Sequence, residues 1–221
     1  MKNKLILLTI VVIILCFSLV SCDKDREYDE AEVLAAAKIL IAKSEKLNEI
    51  YYGTGINYTD DKNASNGYYY PADYNSAMSF GIETVDDIIA LTEECFTTVM
   101  TNSIVSTKLS SVSDDDGIKS FARYYQKYNA LDNTPECIMV YTEATVYLTD
   151  EIIYHYDRMT VSHSEKEEVF VNIPVTVINS EGDYQEQTLS VSLLEEENGW
   201  RINSPTYAKY VDRGYYEDLQ N

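Results

Sequence analysis

His155 and Asp157 stand two residues apart in an alternating stretch around Ile153. On a strand, side chains at i and i+2 share a face, and a histidine oriented by a carboxylate is the pairing that a general base needs. No serine or cysteine nucleophile motif accompanies the two, so plain same-face neighbours are the alternative. Asp114-Asp115-Asp116-Gly117 invites a calcium reading, but an EF-hand loop needs glycine sixth, and counting back from Gly117 puts Val112 first. DKNASNG, starting at Asp61, fails because Asn66 takes the glycine's place. Both stretches read as hydrated turns. With four cysteines, two histidines and no Cys-x-x-Cys or His-Glu-x-x-His spacing, no zinc ligand set is visible. These residues imply no metal and no cofactor, and they describe a binder rather than an enzyme.

The most specific chemistry lies near the start. Lys2 and Lys4 precede sixteen uncharged, mostly apolar residues from Leu5 to Val20, and Ser21 and Cys22 follow. A membrane span needs about 20 apolar residues, so the run is short for a permanent anchor. A basic start, an apolar middle and a small-residue exit are the parts of an export signal. Leu19-Val20-Ser21-Cys22 resembles the lipobox of bacterial lipoproteins, which implies a diacylglyceryl group on Cys22 and cleavage before it. The expected organisation is a signal peptide over 1–21 and a lipidated cysteine with a charged tether over 22–28. One α+β domain over 29–207 and a polar tail over 208–221 complete it. The domain would sit on the extracytoplasmic face of the cell membrane, held by the lipid alone. Export permits a disulfide between Cys95 and Cys137, but spacing alone does not show whether their Cα atoms lie within bonding range, and two buried free thiols are the equal alternative.

Seventeen basic residues against 37 acidic give a formal charge of -20. Without residues 1–21 two lysines are lost, and 15 minus 37 leaves -22. That balance excludes nucleic acid, opposes close approach to anionic lipid and favours a cationic partner. Solubility alone would also explain it. Twenty of the 221 residues are tyrosine. Tyr141, Tyr147, Tyr154 and Tyr156 need be no more than strand residues. Tyr58, Tyr68, Tyr69, Tyr70 and Tyr74 fall in a loop and are candidates for a partner surface.

The elements that must position these groups follow from periodicity. Val33, Leu34, Ala37, Leu40, Ile41, Ser44, Leu47 and Tyr51 recur at helical spacing, with Asp29 placed to cap the start and Gly53 the end. Residues 53–81 keep no period, so the expectation is a long irregular loop. Thr84-x-x-Asp87 has capping-box spacing before an Ile88, Leu91, Cys95 stripe, and Thr97 or Thr98 opens another short helix through Leu109. IKSFARYYQKY fits a helix through Ile118, Phe121, Tyr125 and Tyr128, with a strand as the alternative. After Pro135 the period becomes two, and Asn198-Gly199 is the strongest hairpin signal in the chain. Helices first and strands afterwards predict an α+β fold with N-terminal helices on one face of a curved antiparallel meander.

The leading helix, the Gly/Tyr loop, GIETVDDIIALTEECFT and the closing EEENGWRINSPTY resemble the IseA-type D,L-endopeptidase inhibitors of bacterial cell surfaces. The resemblance runs from about Ala31 to Tyr207. NGWRI also recurs as the last hairpin of NTF2-like and cystatin-like domains. What the resemblance implies is a non-catalytic domain that blocks an NlpC/P60-type peptidoglycan peptidase by placing an acidic loop in its groove. NALDNTPE, between the last helical segment and the first strand, is the loop that would do so, with Asp132, Asn133 and Glu136 reaching a basic peptidase. A lipid anchor departs from the freely secreted members. Two other classes stay open: a pocket enzyme or ligand binder using His155 and Asp157, and a sugar or peptide binder using Tyr68, Tyr69 and Tyr70.

Overall fold

A computed structural model describes residues 28–61, 67–114, 117–147, 150–165, 167–179 and 181–206. The export segment, Cys22 and the tail 208–221 lie outside them, as do Asp115 and Asp116. No helix among the described residues is long and apolar enough to cross a membrane. In chain order the elements are α1 (Glu30–Tyr52), β1 (Tyr69–Pro71), α2 (Tyr74–Ser79), α3 (Val85–Cys95), α4 (Thr98–Lys108), β2 (Val112–Asp114) and β3 (Gly117–Ser120). They continue with β4 (Tyr124–Tyr128), β5 (Pro135–Tyr141), β6 (Glu151–Tyr154), a 3-10 turn (Tyr156–Arg158), β7 (Thr160–Glu165), β8 (Glu168–Ile178), β9 (Tyr184–Glu196) and β10 (Gly199–Ile202).

The fold is α+β, with helices packed against a strongly curled antiparallel sheet. Along β8, Val169, Val171, Ile173, Val175 and Val177 are buried, and their neighbours are half-exposed. Register places Val169 opposite Leu193, Val171 opposite Val191 and Ile173 opposite Leu189 in β9, so this face is apolar up to Ile173, beyond which Gln187 and Gln185 stand opposite Val175 and Val177. Helix α1 shares the core with that face, contributing Val33, Ala37, Leu40, Ile41 and Leu47. Each fully buried Leu or Ile contributes roughly 1.5–3 kcal/mol. The last hairpin ties sheet to helices, because the Thr97 amide donates to Ile202 O at 2.9 Å and Arg201 Nε donates to Glu93 O at 3.0 Å.

Helix α1 starts where Asp29 Oδ1 accepts from the Ala31 amide at 2.9 Å. Its end is held by parts of the chain far away in sequence. The last four carbonyls of a helix lack intrahelical donors. Here the Gly53 amide reaches Glu49 O, Tyr124 OH donates to Ile50 O at 2.9 Å, Arg123 Nη1 to Tyr51 O at 3.2 Å, and the Tyr147 amide to Tyr52 O at 2.7 Å. Arg123 Nη2 also donates to Gly53 O. No basic residue lies in the last turn of α1, so the buried Arg123 supplies the positive charge that the helix C-terminus favours.

Three expectations need correction. Residues 118–120 and 124–128 are strand, in β3 and β4, as the alternative reading had it; in β4, Tyr124 pairs with Val140 and Tyr125 with Met139 of β5, where aromatic side chains suit a pleated surface. The meander is not continuous either: β5 joins β4 and β1 in a separate three-stranded sheet, order β1-β5-β4, whereas β10-β9-β8-β6 form the other, with β7 also on β8. And 53–81 is not structureless, since it contains β1, α2 and a bridge between Tyr58 and Ala72.

Candidate functional site

The loop singled out in the sequence is the turn of the β4–β5 hairpin, and it follows a strand, not a helical segment. Tyr128 pairs with Pro135, so Asn129–Thr134 form its tip. The turn is built from its own polar groups. The Asn129 amide donates to Thr134 O at 2.9 Å, the Asn133 amide to Asn129 O at 2.9 Å, and the Leu131 amide to Asn129 Oδ1 at 2.8 Å. Asp132 Oδ1 accepts from the Thr134 amide at 3.1 Å and from its hydroxyl at 2.8 Å. Asn133 has φ +56°, a left-handed conformation that asparagine tolerates better than most residues.

This geometry sorts the three acidic-loop residues. The Thr134 hydroxyl and amide hold the Asp132 carboxyl below the usual aspartate range, so it is ionised at the tip. Asn133 shapes the backbone. Glu136 sits at the hairpin's base in a 2.8 Å ion pair with Lys127, which raises the lysine's pKa and leaves little net charge there. Leu131, which the sequence reading passed over, is 96% exposed at the tip. A leucine held in water on an ordered turn is the feature that stands out. Its signal was an apolar residue inside a polar loop.

Beside the hairpin a groove of about 530 Å³ runs between the α2–α3 connection and the base of β5. Tyr74, Glu83, Thr84, Gln126 and Glu136 line it. Gln126 fixes its floor: its Oε1 accepts from the Val85 amide at 3.1 Å and its Nε2 donates to Cys137 O at 3.0 Å. Thr84 and Asp87 form the full capping box at the start of α3. Tyr74, 70% exposed, gives the groove an apolar edge, and Glu83 gives it an acidic one.

The tyrosines divide. Tyr69 is only 6% exposed, its hydroxyl donates to Ala122 O at 2.7 Å, and its ring meets Tyr125 edge-on at 4.8 Å. It is a packing residue, which corrects its place among partner-binding candidates. Tyr68 is 52% exposed against Phe121, and Tyr70 is half-buried against Tyr58.

His155 and Asp157 are not strand neighbours. β6 ends at Tyr154, His155 opens the 3-10 turn, and Asp157 is exposed. The cause is Pro174. His155 N–H donates to Pro174 O at 2.9 Å, so that residue's polar edge faces the β6–β7 line, where proline has no N–H to return. The strand breaks at that place. His155 Nε2 bonds Thr176 Oγ1 at 2.8 Å, and no bond joins it to Asp157. Cys95 and Cys137 are both free thiols, Cys95 bonding Leu40 O at 3.3 Å and Cys137 contacting Met139 Sδ at 3.7 Å. No metal-ligand cluster occurs among the described residues. No family model, no curated protein and no solved structure matches this chain.

Proposed function

We propose that this chain is a lipid-anchored extracytoplasmic protein that binds and inhibits a basic cell-wall endopeptidase of the NlpC/P60 type through the β4–β5 hairpin. The observation that carries the reading is the tip itself: a self-bonded turn presenting Leu131 beside the ionised Asp132. An exposed leucine on an ordered turn can fill an apolar pocket with little further loss of freedom, and a carboxylate next to it steers the loop to a cationic groove. The chain's charge of -20 favours the same class of partner. The resemblance of its sequence to IseA-type inhibitors names the peptidase class.

The test is an inhibition titration, with the chain from Asp23 added to such a peptidase cutting a stem-peptide substrate. Tight inhibition is expected, weakened about tenfold or more by Leu131→Ala and again by Asp132→Asn. Failure of the native chain at high excess against several such peptidases sinks the proposal. A second reading has one observation behind it: Tyr68, half-exposed on the Phe121 ring, offers a stacking surface for a sugar or peptide. Binding there would survive high salt, whereas binding by the hairpin would weaken.

A further inference from the structure

Beside Arg123 and against Tyr51 in the last turn of α1 lies a pocket of about 430 Å³, within the size range of small-ligand sites. It carries positive charge in an acidic protein. Lys108, at the end of α4, lines it with its ammonium 4.5 Å from the Tyr52 ring centroid and 5.4 Å from that of Tyr147. Those rings take the place that a counter-ion usually fills, and no carboxylate among the described residues pairs with Lys108. Burial, with the Arg123 charge adding to it, holds the Lys108 pKa below the usual lysine range.

Arg123 has capacity left. A guanidinium has five N–H donors. Nε bonds Tyr124 OH, Nη1 bonds Tyr51 O and Nη2 bonds Gly53 O, so one hydrogen remains on each Nη. Phe121 and Tyr141 form an apolar wall, stacked at 4.8 Å with planes 14° apart. Glu143 stands at the rim, accepting from Tyr141 OH at 3.4 Å.

We propose that this pocket binds a small organic carboxylate, its anion between Lys108 and Arg123 and its apolar body against Phe121 and Tyr141. Two cations and one rim carboxylate leave a local balance that a monoanion neutralises. A dianion would exceed that balance and would meet the repulsion of the whole chain. The Phe121–Tyr141 wall favours a flat apolar body over a purely polar ion. Tyr141 ends β5, so the site lies at the other end of that strand from the hairpin tip, and either can fail without the other.

The test uses the full chain in non-ionic micelles, with its lysines carrying 13C-methyl groups that keep their charge. Benzoate is the probe, benzamide its neutral isostere and inorganic phosphate the competing anion. Benzoate should shift the Lys108 signal saturably and raise its pKa, and benzamide should bind about tenfold more weakly or not at all. Lys108→Met should weaken benzoate binding about tenfold or more, and Lys108→Arg should retain it. The Lys108 signal of the native chain carries the test even if a variant fails to fold. No saturable shift with benzoate overturns the proposal, as does equal binding of benzamide or of phosphate.

Discussion

Single residues decide how α1 ends, and Gly55 is one of them. Its φ is +70°, and a Cβ placed there would meet Tyr124 OH at 2.1 Å and Arg123 Nη2 at 2.8 Å. Neither neighbour can withdraw, because Tyr124 OH also accepts from the Ile56 amide at 3.0 Å and both groups bond the end of α1. Gly55→Ala should therefore destabilise the fold by about 2 kcal/mol or more, read as a lower urea midpoint at unchanged slope. An unchanged midpoint would mean that the latch yields. The cysteines give a second check at this scale. Burial pushes the Cys95 thiol up to about 12 and raises Cys137 less far. Thiolates are the species that alkylate. Iodoacetamide at neutral pH should label Cys137 slowly and Cys95 only in denaturant, with no disulfide seen by mass. Of these residues only the caps were legible beforehand. Asp29 and Gly53 lie within a turn of the helix they close, whereas Arg123 acts 70 residues away from Gly53, and only the fold brings them together.

At the scale of elements, α3 gives the cleanest case of local chemistry. Thr84 accepts from the Asp87 amide, and Asp87 Oδ2 accepts in return from the Glu83 and Thr84 amides at 2.9 and 2.8 Å. Thr84→Ala should cost about 1 kcal/mol, seen as a drop of roughly 2–4 °C in the unfolding midpoint. The Glu83 and Thr84 amides lower the Asp87 pKa from the ordinary 3.8, so its folded value lies below its unfolded one. Its contribution is therefore present above about pH 4 and lost as pH falls through the folded value. The gap between the native chain and Asp87→Asn should close in acid, and a gap that widened there would contradict the capping role. This helix, α1 and the Asn198-Gly199 hairpin were legible because capping, helical period and turn type act within a few residues. β4 was not. FARYYQKY supports either period, and what selects strand is pairing with β5 across the hairpin. The break between β6 and β7 had a visible sign in Pro174, a proline inside an alternating run, but its effect falls on the neighbouring strand. The hairpin tip was half legible for a related reason: position and charge pointed to 129–136, but only the turn's own hydrogen bonds show Asp132 tied to Thr134 and Leu131 left in water.

For the whole molecule, one number acts in two opposite directions. A formal charge of -20 repels itself in the compact state, and the repulsion is long-range. Among the described residues, the ion pairs Lys43–Glu94 and Lys127–Glu136 offset little of it, since both are exposed and water screens them. Salt shortens the reach of charge from about 10 Å at 0.1 M to about 3 Å at 1 M. Screening should therefore relieve self-repulsion more than it weakens the pairs, and the thermal midpoint should rise as sodium chloride is added. The same screening should slow association with a cationic peptidase, because the field that steers it is the one being removed. Stability and partner binding thus carry salt slopes of opposite sign, and the two are separable by melting the free chain at several salt concentrations. A midpoint that falls with salt would mean that specific pairs outweigh the net charge, and it would remove the physical ground for expecting a basic partner to be drawn in from a distance.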